Sequence, residues 1–295
     1  MGSGYYKNIR YKQIITMFQN NLLKGKKILV TGGGTGLGKE MSEHYIQHGA
    51  EVVICGRREN VLAETAAEFK DKYGAEVRFQ PLDIRSPQDV DAFIDQIFEE
   101  GPLHGLVNNA AGNFISPTKD ISSRGFDAIA NIVFHGTFYV THAVGKKWIE
   151  HKIKGSIISI LATWVWTGSP FVVASAMSKS ALHTMTKSLA VEWGPNGIRV
   201  NAIAPGPFPT EGMTARLSPK GDMQKDPNKT IPMGRMGEMS ELQNLATFLM
   251  ADGCDYLTGQ TIAIDGAQYL SGGGTFSQLS SMTDDDWSEI REMIK

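Results

Sequence analysis

The chain has 295 residues, 41% of them hydrophobic, with 32 glycines, two cysteines and a net charge of −2. That length holds one large α/β domain or two ordinary ones, and the near-neutral charge argues against nucleic acid or an anionic membrane surface as a partner. Two cysteines cannot build a disulfide framework or a metal cluster, and no apolar stretch approaches the length that spans a bilayer.

The first 39 residues lack Asp and Glu, while Lys7, Arg10 and Lys12 lie near the start. A transit peptide is one reading. The simpler one is a leader at Met1-Gly-Ser-Gly4 and an over-long N-terminus, frayed or loosely docked, covering 1–24. Cys55 ends the apolar run Val52, Val53, Ile54 and reads as a small buried hydrophobe. Such a thiol suits a reducing compartment, so a cytoplasmic location is expected.

Strand and helix signals then alternate. "KILVT" (27–31) is a short β run, followed by a glycine cluster and a helix that stops at Gly49. "EVVICG" (51–56) is the second strand, and the helix after it closes at Gly74. "AEVRFQPLDI" (75–84) is the third strand. Ser86 caps the next helix, with Pro87 in its first turn. "LHGLVNNAAG" (103–112) carries strand four into an Asn/Gly turn. A long helical region covers 123–151, and "GSIISI" (155–160) is strand five. A helix over 175–193 stops at Gly194-Pro195, before strand six in "IRVNAIAPGP" (198–207). The Pro-, Gly-, Met- and Lys-rich segment 208–237 has weak periodicity and reads as a mobile lid. Helix 239–251 and strand 259–266 close the fold, and 271–295 is a tail whose last part is helical. Alternating βαβ units predict a doubly wound parallel sheet of Rossmann type, α/β in class, in one domain over 25–270.

Several stretches carry chemistry. "TGGGTGLGK" (31–39) follows a strand and opens a helix, so Thr31, Gly32, Thr35, Gly36, Leu37 and Gly38 are candidates to bind a dinucleotide pyrophosphate. NAD sites place an acid at the end of the second strand, whereas a nearby Arg suits a 2′-phosphate. Arg57 and Arg58 stand there, which favours NADP(H). Asp83, beside Ile84, is placed to meet an adenine amino group or to cap a loop. "NNAAG" (108–112) and "APGP" (204–207) end strands in the ligand crevice, adding Asn109, Ala110, Ala111, Gly112, Pro205, Gly206 and Phe208.

Thr31–Gly38, Asn109-Ala-Ala-Gly112, Lys179, Pro205-Gly206 and Asp265-Gly266 together resemble the short-chain dehydrogenase/reductases, from Gly25 to about Gly266. Within that family, "NNAAGNFISP" (108–117), the 167–179 stretch and "KSLAVEWGPNGIRVNAIAPGP" (187–207) resemble the 2,4-dienoyl-CoA reductases. The resemblance implies NADPH, an acyl-CoA substrate of fatty-acid metabolism, a homotetramer built through long helices, and a further nucleotide contact at Lys179.

It also implies a site. The general family has a Tyr four residues before its Lys, and a Ser further back; here those places hold Ser175 and Ala162, and only Lys179 remains. The dienoyl-CoA reductases share the Ser. Their mitochondrial type has a Tyr eleven residues before it, paired with the Asn matched by Asn113, but Trp164 stands at the Tyr position. Their peroxisomal type uses Lys, water and an acid whose position matches Val133. Hydride delivered to the distal carbon of a dienoyl thioester creates a dienolate, which needs donors at its oxygen and a proton at carbon two. Asn113 and Ser175 can donate, as can the indole of Trp164, though an indole is no acid. Trp164 is either such a donor, with Lys179 and water supplying the proton, or an aromatic wall of the acyl pocket. A nucleotide-binding subunit that has lost catalysis, or a reductase of another substrate, is the alternative.

Overall fold

The computed structural model describes residues 17–210, 230–272 and 282–293. Seven strands form one sheet in the order β3-β2-β1-β4-β5-β6-β7, and every pairing is parallel. They are β1 (Lys27–Thr31), β2 (Glu51–Gly56), β3 (Arg78–Pro81), β4 (Gly105–Asn108), β5 (Gly155–Ile160), β6 (Ile198–Pro205) and β7 (Thr261–Ile264). The central strands are continuously apolar and buried because helices cover both faces.

On one face, α1 (Gly36–Gln47), α2 (Glu59–Tyr73) and α8 (Met239–Met250) bury Met41, Tyr45, Phe69, Leu242 and Leu249 against the sheet. On the other, α3 (Pro87–Glu99), α5 (Thr137–His151) and α7 (Val173–Trp193) bury Phe93, Val140, Trp148 and Trp193. Strand order reverses between β1 and β4, which opens a crevice beyond their carboxyl ends.

Local chemistry sets the helix ends. The Ser86 hydroxyl accepts the Asp89 N–H with Pro87 in the first turn, and Gly74 ends α2 in the left-handed region. Buried Arg199, near the start of β6, donates to the carbonyls of Leu249 (2.8 Å) and Ala251 (2.9 Å) at the end of α8.

Four details differ from the sequence reading. Of the segment expected to fray, 1–16 lies outside the described residues, but Leu23 is fully buried and its N–H donates to His48 O at 2.9 Å. An apolar docking face thus holds that end to α1. The region 123–151 is α4 (Ser123–Ala130), one widened π turn (Asn131–Gly136) and α5, not a single regular helix. The third strand stops at Pro81, beyond which the chain turns toward Ser86. Most of the expected lid, 211–229, lies outside the described residues. Its described flanks are packed, with Phe208 buried and its ring against Gly237.

Candidate active site

A cavity of about 470 Å³ occupies the crevice, walled by the glycine loop, the end of β2, the Asp83-Ile84 turn and Asn109 to Ala111. Gly32 (φ +65°) and Gly36 (φ +54°) take left-handed backbone that a side chain would strain. At Gly38 a Cβ would meet Asn109 Nδ2 and lie 2.5 Å from Gly32 O, so helix α1 and the loop touch backbone to backbone. Thr35 is the N-cap of α1, yet its hydroxyl makes no cap bond and the first turn holds no acid. The positive end of the helix therefore faces the cavity, the arrangement that receives phosphate.

Thr31, a candidate contact in the sequence reading, does not line the cavity. Its buried hydroxyl donates to Val107 O (3.3 Å) and accepts the N–H groups of Asn109 and Ala110 (both 3.0 Å), binding β1 to the β4 turn. Asn109 completes the tie through Nδ2, which donates to Thr31 O and Gly32 O at 3.1 Å each. Gly112, Pro205 and Gly206 lie outside the cavity wall, and Phe208 faces a smaller hollow beside Ile231 and Asp265.

Arg57 and Arg58 stand exposed on the cavity wall, with no hydrogen-bond or ion-pair partner among the described residues. Asp83 lines the same wall, but its carboxylate is gripped by Arg85. The Nε of Arg85 reaches Oδ1 (2.9 Å) and Oδ2 (3.0 Å), Nη2 also donates to Oδ2, and the backbone N–H reaches Oδ1 at 3.1 Å. These bonds hold the Asp83 carboxyl below its usual range. A pyrophosphate at the helix end and a 2′-phosphate beside two unpaired guanidinium groups both fit these residues.

The second half of the site lies along α7. Ser175, in its first turn, is 1% exposed, and its hydroxyl has no partner among the described residues. One turn on, on the same face, half-buried Lys179 donates to Leu161 O at 2.7 Å. Burial lowers its pKa to about 8. Asn113 accepts the Phe114 N–H on Oδ1 (2.9 Å), which fixes the amide's orientation and leaves the NH₂ as its free end.

Trp164 opens the short helix α6 (Trp164–Thr167), half-buried, its indole N–H unpartnered among the described residues. Packing brings these segments together, since Phe114, Val165 and Ala174, each beside a site residue, join one apolar cluster. Val133 belongs to the same cluster at 2% exposure, so it is a core residue.

Two features escaped the sequence reading. Phe171 holds a positive φ of 65°, rare for an aromatic residue, and its carbonyl accepts the Ser116 N–H at 2.9 Å. This bond ties the Asn113 loop to the loop ahead of Ser175. Tyr269 stacks on Trp166 at 4.8 Å, with the His183 ring edge-on to that tryptophan at 5.9 Å.

A family model described as enoyl-(acyl carrier protein) reductase matches residues 32–267. The chain belongs to the short-chain dehydrogenase/reductase family. A relative in this family is a probable 2,4-dienoyl-CoA reductase of Caenorhabditis elegans that is 40% identical, over 95% of this chain and 92% of that protein. Another, from Bacillus subtilis, is 37% identical over 84% of this chain and 98% of its own; it is named a probable (2E)-enoyl-CoA-producing 2,4-dienoyl-CoA reductase. Among solved structures, a short-chain dehydrogenase from Bacillus anthracis is 41% identical with a TM-score of 0.75, covering 83% of this chain and 96% of that one. A gluconate 5-dehydrogenase from Burkholderia cenocepacia, solved with NADP and tartrate, is 30% identical with a TM-score of 0.77, over 83% of this chain and 95% of that one. Short-chain dehydrogenase/reductases are oxidoreductases that use a nicotinamide cofactor, and the cavity matches that use. No described helix is long and apolar enough to cross a membrane.

Proposed function

We propose that the protein reduces a 2,4-dienoyl-CoA, or a related enoyl-CoA thioester, with NADPH in fatty-acid metabolism. The observation that carries this reading is the buried, unpartnered hydroxyl of Ser175, one helical turn from a desolvated lysine. Burying a hydroxyl without a partner costs about 1–3 kcal/mol, and a ligand oxygen removes that cost. The names of the relatives point to the thioester.

NADPH, when bound, supplies the hydride that adds to the distal carbon. The glycine loop and the start of α1 hold the pyrophosphate, while Arg57 and Arg58 hold the 2′-phosphate. Asn109 to Ala111 form the wall toward the nicotinamide. Asn113 NH₂ and the Ser175 hydroxyl donate to the thioester oxygen as it gains charge, each contributing about 3 kcal/mol at the transition state. Trp164 adds its indole N–H as a third donor. Lys179, with a pKa of about 8, holds and polarises the water that protonates carbon two, a task suited to a group titrating near working pH. Hydride and proton together saturate one double bond.

Exposed Phe134, Phe138 and Val191, on the π turn, α5 and α7, suit a homotetramer assembled through these helices. Two free cysteines, one of them fully buried, suit the cytoplasm.

The test is NADPH oxidation with 2,4-hexadienoyl-CoA and, separately, a trans-2-enoyl-CoA. Turnover with the dienoyl substrate is expected. No turnover with either, alongside tight NADPH binding, would establish a catalytically silent subunit instead. Trp164→Phe should lower kcat about tenfold or more, and an unchanged rate would reduce Trp164 to a pocket wall.

A further inference from the structure

The adenosine end of the cavity has three charged side chains on its wall, Arg57, Arg58 and Asp83. Two guanidinium groups against one carboxylate leave a field that only weakly favours a doubly charged phosphate. A fourth charged group changes this balance. Arg85, two residues beyond Asp83, meets both of its carboxylate oxygens with the side-chain fork and adds its own backbone N–H. A carboxylate offers about four lone-pair positions, and these contacts occupy them. Asp83 then has no acceptor position left for an adenine amino group while Arg85 holds it.

We propose that Arg85 is a positioning residue for cofactor choice: by holding Asp83 it silences the carboxylate facing the 2′-phosphate and leaves Arg57 and Arg58 to set the field there. The inference rests on the NADPH reading above. Three points support it. The Arg85 backbone N–H and side chain both engage Asp83, so the pair closes locally and does not depend on a distant element. Arg57 lies within electrostatic reach of Asp83, helping to hold its carboxyl low, so the two would otherwise neutralise one another. Finally, Arg57 and Arg58 have no competing partner among the described residues, so the charge they present depends on what Asp83 is doing.

The test is a titration of NADPH and NADH against wild type and the variants Arg85→Gln, Arg85→Lys, and Asp83→Asn/Arg85→Gln, with thermal unfolding as a control. Arg85→Gln is expected to weaken NADPH about three- to tenfold, the scale of one uncovered charge acting through water, with NADH changed less than about twofold. The preference for NADPH therefore shrinks. Arg85→Lys should keep most of the preference, and the double variant, lacking the carboxylate charge, should restore it. Equal weakening of both nucleotides by Arg85→Gln would show a merely structural role and overturn the proposal. So would an unchanged preference in that variant, loss of preference in Arg85→Lys, or no restoration in the double variant. A wild-type protein with no preference for NADPH would instead overturn the cofactor reading itself.

Discussion

Lys179 stores a cost that can be measured. Burial lowers its pKa from 10.5 to about 8. In the unfolded chain the amine keeps its proton to near pH 10.5, so between about pH 8 and 10.5 the unfolded state binds the extra proton. Stability therefore rises with pH across that window, and below pH 8 the folded state bears the whole desolvation cost. The two pKa values differ by about 3 kcal/mol of proton affinity. Because the side chain keeps some exposure, about 2 kcal/mol is the better expectation. Lys179→Met removes this term but also the hydrogen bond to Leu161 O, a loss of about 1 kcal/mol. The variant should be about 1 kcal/mol more stable than wild type at pH 7 and about 1 kcal/mol less stable at pH 10. Urea unfolding at both pH values, with unchanged slope, reads the difference directly. Packing effects of the methionine are the same at each pH and cancel. A change of under about 0.5 kcal/mol between the two conditions would show that the ammonium is well solvated, and the argument for a tuned lysine would fail.

Two other perturbations probe the frame around the site. Gly38→Ala puts a methyl group against Asn109 Nδ2 and 2.5 Å from Gly32 O; it should cost about 1–3 kcal/mol and weaken NADPH binding at least tenfold. A native melting temperature with native affinity would contradict the close approach. Arg199→Met strips two carbonyls at the end of α8 of their donors, and urea unfolding should show a loss of about 2–4 kcal/mol. Because Arg199 lies near the start of β6, away from the crevice, kcat per folded molecule should be unchanged.

Much of the fold was legible because its signals are local and repeated. Apolar runs of four to six residues, each followed by a helical period, gave the parallel sheet. Ser86-Pro87 and Gly74 marked helix ends through side-chain and backbone chemistry that needs no tertiary partner. At the site, Arg57, Arg58, Lys179 and Asn113 were legible because each follows a strand or sits at a fixed spacing from another motif. Other features depend on contacts that sequence does not encode locally. Tyr269 reaches Trp166 only after β6 and β7 have folded between them. The grip of Arg85 on Asp83 joins two exposed side chains that carry no periodicity. Thr31 read as a nucleotide contact because its motif points at phosphate, but its hydroxyl faces Val107, Asn109 and Ala110. The N-terminal segment read as loose because it is short and uncharged on the acidic side, although Leu22 and Leu23 had core partners waiting.

The widened turn at Asn131–Gly136 changes the phase of a long helix. One extra residue in a turn advances everything after it by about 100°. Ile129 and Val133, before or within the turn, face the cluster around Leu161 and Ala174. Val140, Val144 and Trp148, after it, face the cluster under β4 and α3. Ile132 meanwhile reaches the nucleotide cavity, and Gly136 sits so close to Ile84 that a Cβ would lie 2.6 Å from that side chain. A single rod thus changes gear midway, meshing with the thioester end of the molecule on one side and with the adenosine end on the other. A one-residue deletion there would leave each half foldable in isolation yet unable to engage both neighbours at once.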